Sequence, residues 1–123
     1  RSCLVGSEMC IRDRCYCQKT TRLMNEKFQE ISIETTFQSR FGPDKWLTPY
    51  TDKTLENLPN KGKKSILMIC PGFSSDCVET LEEINIQGRE TFMSCGGKNF
   101  EFIPCLNDNP DHIYLLEALL RNI

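Results

Sequence analysis

The stretch SILMICPGFSSDCVETLEE, Ser65 to Glu83, limits the possible folds more than any other part of the chain. An apolar run from Ile66 to Cys70 meets a Pro-Gly break and then a polar segment beginning Ser74-Ser75-Asp76. That order predicts a buried strand, a tight loop and the start of a helix. Asp76, Glu79 and Glu83 stand at i, i+3 and i+7, which on an α-helix places them along one side. In open α/β sheets ligands bind in the crevice at the carboxyl ends of the strands, so these acids are the first candidates for chemistry. The same residues have a plainer use: Asp76 as cap and Glu79 three residues on make a capping box, and acids in a first turn gain from the helix dipole.

A chain of 123 residues, 39% of them hydrophobic, fills one small core rather than two. Lys and Arg number 15 against 17 Asp and Glu, a formal net charge of −2. The broad attraction to phosphate backbones that most nucleic-acid binders use is therefore absent, and no nucleic-acid partner is expected. No apolar run reaches the roughly 18–20 residues of a membrane span, and the start lacks the order of a signal peptide. A cytoplasmic location is the resulting expectation. Eight cysteines could form a disulfide framework, but Cys70 and Cys105 end apolar strands and no secretory signal accompanies them. They read as buried free thiols, with no disulfide expected. Cys15 and Cys17 give only a weak metal signal, having neither a second pair at zinc spacing nor a partnering His.

Residues 1–14 show no periodicity and are expected to be disordered or foreign to the remainder of the chain. A helical pattern runs from Cys17 to about Phe28, and Ile31, Ile33, Thr35 and Phe37 then alternate as in a strand. FGPDKWLTPY, residues 41–50, is a loop stiffened by Pro43 and Pro49 and carrying Trp46. Its aromatic residues, Phe41 and Trp46, have two readings of equal weight, covering a sheet edge or serving a site. Thr51 to Leu58 predicts a short helix capped by Thr51 and closed by Pro59 and Gly62. Lys61, Lys63 and Lys64 read as a solvated turn. A helix from 76 to 85 is expected to end at Gly88, while 91–98 is ambiguous and contains a flexible Gly-Gly turn. Phe100 and Phe102 alternate with Glu101 and Ile103 as a strand. Asn109, Pro110 and Asp111 start a last helix, with Ile113, Leu116, Leu119 and Leu120 as its buried stripe. The β-α-β-α-β-α order predicts an α/β fold with a parallel sheet, helices on both faces and right-handed connections, and three strands make that domain look incomplete.

Several chemistries are excluded by pattern. The PGF loop carries neither GxGxxG nor GxxxxGK[ST]. The single His, His112, assembles no nucleophilic triad and reads as a surface residue. Cys77 follows Asp76 where a thiolate would be stabilised, yet it has no evident base and no CxxC is present.

The segments CQKTTRL (Cys17 to Leu23), FQSRFGPDKWLTPYTDKTLENL (Phe37 to Leu58), CPGFSSDCVETLEEI (Cys70 to Ile84) and FEFIPCLND (Phe100 to Asp108) resemble the C-terminal half of ferrochelatase, above all the bacterial enzymes. The resemblance covers nearly everything after residue 15, so residues 15–123 read as a ferrochelatase-like α/β domain and 1–14 as a non-matching segment. It implies a Rossmann-like, three-layer α/β/α, chelatase-like half with a four-stranded parallel sheet, and a porphyrin cleft facing a second half. The implied reaction is insertion of Fe(II) into protoporphyrin IX with release of two protons, giving protohaem. The family's C-terminal carboxylate falls on Glu79, linked to proton transfer or metal delivery together with Glu83. That shifts the balance away from plain capping. Phe37, Gln38, Ser39 and Arg40 fall on the family's cleft segment, with Pro43, Trp46 and Leu47 in the adjoining signature. Phe37 is expected nearer the porphyrin than Trp46.

The resemblance also implies no tightly bound cofactor, Fe(II) as a substrate, and peripheral membrane association of the full enzyme. An iron-sulfur cluster is not expected, because the cysteine group some members carry near the C-terminus is lacking. The family's catalytic histidine belongs to the N-terminal half, which this chain does not match. The fragment alone is accordingly expected to be inactive. Two alternatives stay open: a non-catalytic α/β module binding porphyrin or a partner domain, and a chelatase acting on coproporphyrin.

Overall fold

The computed structural model describes residues 8–40, 42, 43 and 45–122. Packing divides the chain into two compact units, Arg1–Thr54 and Leu55–Ile123.

In the first unit, helix α1 spans Glu8–Lys27, with Lys27 placed to favour the C-terminal end of its dipole. The helix expected from Cys17 thus begins at Glu8, inside the stretch expected to be non-matching or disordered; the remainder of that stretch lies outside the described residues. Residues 31–37 correct the strand expected from their alternation. Asn25 on α1 binds the Ile33 backbone twice, Nδ2 donating to its carbonyl at 3.1 Å and Oδ1 accepting from its N–H at 3.1 Å. A side chain thereby satisfies groups that a strand would pair across a ladder. Only Phe37 makes a bridge, parallel to Tyr50. Its N–H donates to Pro49 (2.9 Å) and its carbonyl accepts from Thr51 (3.0 Å).

Helix α2 spans Thr51–Asn57. Thr51 does not cap it, since its hydroxyl donates to that of Thr36 at 2.9 Å. Tyr50 stands before the helix, and its carbonyl receives both the backbone N–H (3.0 Å) and the hydroxyl (2.8 Å) of Thr54.

In the second unit a 3₁₀ turn, Pro59–Lys61, ends at Gly62, whose φ of 82° is open to glycine without strain. Strands β1, Ser65–Met68, and β2, Asn99–Phe102, pair in parallel from Ser65 with Asn99 to Met68 with Phe102. The parallel pairing matches expectation, while β1 departs from a strand buried on both faces: Ile66 and Met68 are half-buried and Leu67 is exposed. Between the strands the chain forms a π-helix, Glu79–Gly88, running directly into α3, Arg89–Ser94. Gly88 therefore does not end the helix, and the ambiguous stretch from Thr91 is helical as far as Ser94. Gly88 is buried instead, and a Cβ there would stand 3.2 Å from Leu55.

Leu55, Cys70, Ile84, Phe92 and Phe100 form the core, with Phe92 and Phe100 rings 6.0 Å apart and tilted by 54°. Thr80, Ile84 and Gly88 bury one side of the π-helix, and Phe92 continues that row. Arg89 fixes the junction. Its Nη2 donates to Asn85 Oδ1 (2.8 Å), its Nε to the Asn85 carbonyl (3.2 Å) and its Nη1 to the Phe100 carbonyl on β2, with the guanidinium 4.9 Å from the Phe100 ring centroid.

Helix α4, Pro110–Arg121, starts as expected, with the Asn109 side chain accepting from Asp111 N–H and Pro110 in the first turn. Its expected stripe is not buried. Ile113, Leu116, Leu119 and Leu120 are all exposed, and His112, expected at the surface, is the buried residue at 8% exposure. His112 Nδ1 pairs with the Asn107 carbonyl at 2.7 Å, which holds that side of the helix inward.

Candidate functional site

The loops after β1 and β2 leave the same end of the parallel pair, and one polar network ties them together. Asp76, in the loop after β1, accepts from three sources. Oδ2 receives Asn107 Nδ2 at 2.8 Å, Oδ1 receives the Thr80 hydroxyl at 2.9 Å, and the Cys105 N–H approaches both oxygens at 3.2 and 3.3 Å. Asn107 returns the contact: its Oδ1 accepts the Asp76 N–H at 2.8 Å. The Asn107 N–H also donates to the Ser74 carbonyl at 2.9 Å, and Nδ2 reaches the Cys105 carbonyl at 3.0 Å. Asn107 adopts φ 50°, a left-handed conformation that Asn tolerates better than most residues. The Asn107, Thr80 and Cys105 donors hold the Asp76 carboxyl below the usual carboxylate range.

Asp76 consequently precedes the helix instead of sharing a face with Glu79 and Glu83, correcting the i, i+3, i+7 alignment. The π-helix changes the neighbours: with i→i+5 bonding each turn is wider, and Glu79 and Glu83, four apart, lie alongside the buried Thr80 and Ile84. Glu79 is exposed and Glu83 half-buried. The Cys77 side chain and Glu79's own N–H bind the Glu79 carboxylate and draw its pKa downward. Burial, reinforced by the negative charge of neighbouring groups, pushes the Cys70 thiol up to about 11, and burial also raises Cys105. Cys70, Cys77 and Cys105 are free thiols. Among the described residues, no three His, Cys, Asp or Glu side chains gather in a metal-holding group.

The expected porphyrin-contact residues belong to the first unit and the carboxylates to the second. Phe37, Gln38 and Ser39 are half-buried, with Ser39 at φ 59°. Trp46 Nε1 donates to the Gln38 carbonyl at 2.9 Å, so its indole braces the loop. Arg40 is exposed, its guanidinium 4.7 Å from the Tyr50 ring centroid and 3.9 Å from Asp52. Phe41 lies outside the described residues. The residues missed from sequence are Thr80, Asn107 and Arg89, which hold the carboxylate-bearing segment in place. For Asn107 a signal existed, because LNDNP is rich in turn-forming residues.

The ferrochelatase family model matches residues 12–123. The chain belongs to the ferrochelatase family. It is 54% identical over 110 residues to the ferrochelatase of Marinobacter nauticus, covering 88% of this chain and 30% of that protein. With the ferrochelatase of Yersinia enterocolitica it shares 54% identity over 108 residues, 86% of this chain and 34% of the relative. The ferrochelatase of Vibrio vulnificus is 53% identical over 107 residues, 85% and 34% of the two chains. The chain thus spans about a third of the length of these curated ferrochelatases.

Proposed function

We propose that this chain supplies the carboxylate-bearing part of a ferrochelatase that inserts Fe(II) into protoporphyrin IX. The observation that carries the reading is Glu79 at the start of the π-helix beyond β1, in a chain of the ferrochelatase family. The reaction exchanges two pyrrole protons for one Fe(II), so it needs groups that lead the metal in and take protons away. Glu79, with its pKa drawn downward, is an anion at neutral pH and a weak base. It is better suited to passing a hard cation than to keeping a proton, with Glu83 following it on the same helix. Phe37 offers an aromatic surface to a flat macrocycle, and Gln38, Ser39 and Arg40 offer polar groups to its propionates. Trp46 serves by holding the Gln38 backbone.

The test compares Fe(II) insertion by the 123-residue chain alone with insertion by the Yersinia enterocolitica ferrochelatase carrying this chain in place of the third it matches. The chain alone is expected to show no turnover and the completed enzyme to be active. Glu79→Gln in the completed enzyme is expected to lower kcat by about 10²-fold or more. An active completed enzyme indifferent to Glu79→Gln would overturn the role given to that residue.

A second reading is a non-catalytic module in which the Phe37–Arg40 segment, braced by Trp46, binds porphyrin or a partner domain. Porphyrin binding by the chain, measured by fluorescence quenching, without turnover in the completed enzyme would favour it. Turnover with coproporphyrin in place of protoporphyrin would instead reassign the substrate.

A further inference from the structure

The feature that the proposed chemistry leaves unused is the reciprocal pair between Asp76 and Asn107. Two loops that follow neighbouring strands are joined there by opposed side-chain-to-backbone and side-chain-to-side-chain bonds, each at 2.8 Å. Asp76 also accepts from Thr80, the residue directly after Glu79, and the Cys77 N–H donates to that same Thr80 hydroxyl at 3.0 Å. Thr80 is fully buried, so this hydroxyl fixes the first turn of the π-helix from inside. A short chain of contacts therefore runs from Asn107 through Asp76 to Thr80, ending one residue from the Glu79 carboxylate.

We infer that Asn107 is a positioning residue, which acts through Asp76 and Thr80 to set the direction of Glu79 at the start of the π-helix. Both Asp76 oxygens are occupied by protein donors, so Asp76 acts here by orienting the segment. The inference rests on the role proposed for Glu79, and its closing experiment separates the two. Fixing a reacting group matters because a displacement of about 1 Å can cost on the order of 10²-fold in rate.

Exchanging the two side chains gives the decisive variant. In Asp76→Asn with Asn107→Asp, the amide introduced at position 76 would donate to the carboxylate introduced at position 107. The amide oxygen at 76 would still accept from Thr80 and Cys105, and the carboxylate at 107 would still accept the backbone N–H of residue 76. The donation from residue 107 to the Cys105 carbonyl is lost, as is the approach of the Cys105 N–H to the second oxygen of residue 76, its approach to the first being kept. Either single change instead faces donor with donor, or carboxylate with carboxylate.

In the completed enzyme, each single variant is expected to lower kcat by about 10²-fold with the Fe(II) KM within about twofold, and the exchange to recover at least about tenfold. In the 123-residue chain, exchange of the Cys105 amide hydrogen is expected to quicken about tenfold in each single variant and to slow again in the double one. That readout does not depend on turnover, so it checks the contact even where a single variant lowers the yield of active enzyme. Single variants with unchanged kcat would overturn the inference. So would an exchanged pair that restores amide protection but not kcat, because Asp76 would then act through its own charge. If clamp variants lower kcat while Glu79→Gln does not, the positioning stands and its object is another residue of the π-helix, overturning the link to Glu79.

Discussion

At Asp76, donors from Asn107, Thr80 and Cys105 converge on one carboxylate, and its folded pKa lies below the ordinary value of 3.8. A depressed carboxylate contributes stability that is fully present above its unfolded pKa and is lost as pH falls through the folded one. The urea midpoint of the chain is therefore expected to fall as pH drops through and below the ordinary carboxylate range, and to fall less in Asp76→Asn. Cys70 gives a prediction of opposite sense. Its pKa, raised to about 11, and its burial keep the thiol protonated, so alkylation at pH about 8 is expected to be at least tenfold slower than at the exposed Cys15 and Cys17. Peptide mapping by mass spectrometry after timed alkylation checks it. The burial of Cys70 was legible in the sequence because it ends an apolar run. Asp76 was legible only as an acid near a helix start, since the partner that defines its work lies 31 residues away.

Among the elements, α2, β1, β2 and α4 were legible because each combines a periodic pattern with a local start or stop signal. Residues 31–37 alternate like a strand, yet Asn25 supplies Ile33 with the bonds a neighbouring strand would give. The π-helix left no pattern of its own, because apolar spacings of three and four fit an α-helix equally well. Its C-terminal junction depends on Arg89, whose guanidinium reaches Asn85 and the Phe100 carbonyl. Arg89→Ala is expected to destabilise the second unit by about 1.5–3 kcal/mol in denaturant melts, the scale of hydrogen bonds to a charged group. Gly97→Ala makes a steric test of the following turn. A Cβ there would lie 2.2 Å from the Phe92 ring, and overpacking of this kind costs about 1–3 kcal/mol by the same measurement.

For the molecule as a whole, α4 presents Ile113, Leu116, Leu119 and Leu120 to solvent, and Leu120 is 71% exposed. Apolar surface left in water favours association, so the chain is expected to sediment as larger species with rising concentration. Leu116→Lys with Leu120→Lys is expected to shift sedimentation towards the monomer. The sequence assigned that stripe to a core because amphipathic spacing identifies a face to be covered without identifying its cover. The π-helix bears on something else, the length of the chain. Loss of a single codon between 79 and 88 would let a four-residue α-helical turn replace a five-residue π turn, so the residues beyond it would keep nearly their places. Phe92 would stay in the core and Arg89 would still face β2, while the wide turn that follows Glu79 would be lost. A change of one letter in the length of this segment would therefore be absorbed beside Glu79 and not passed on to the core.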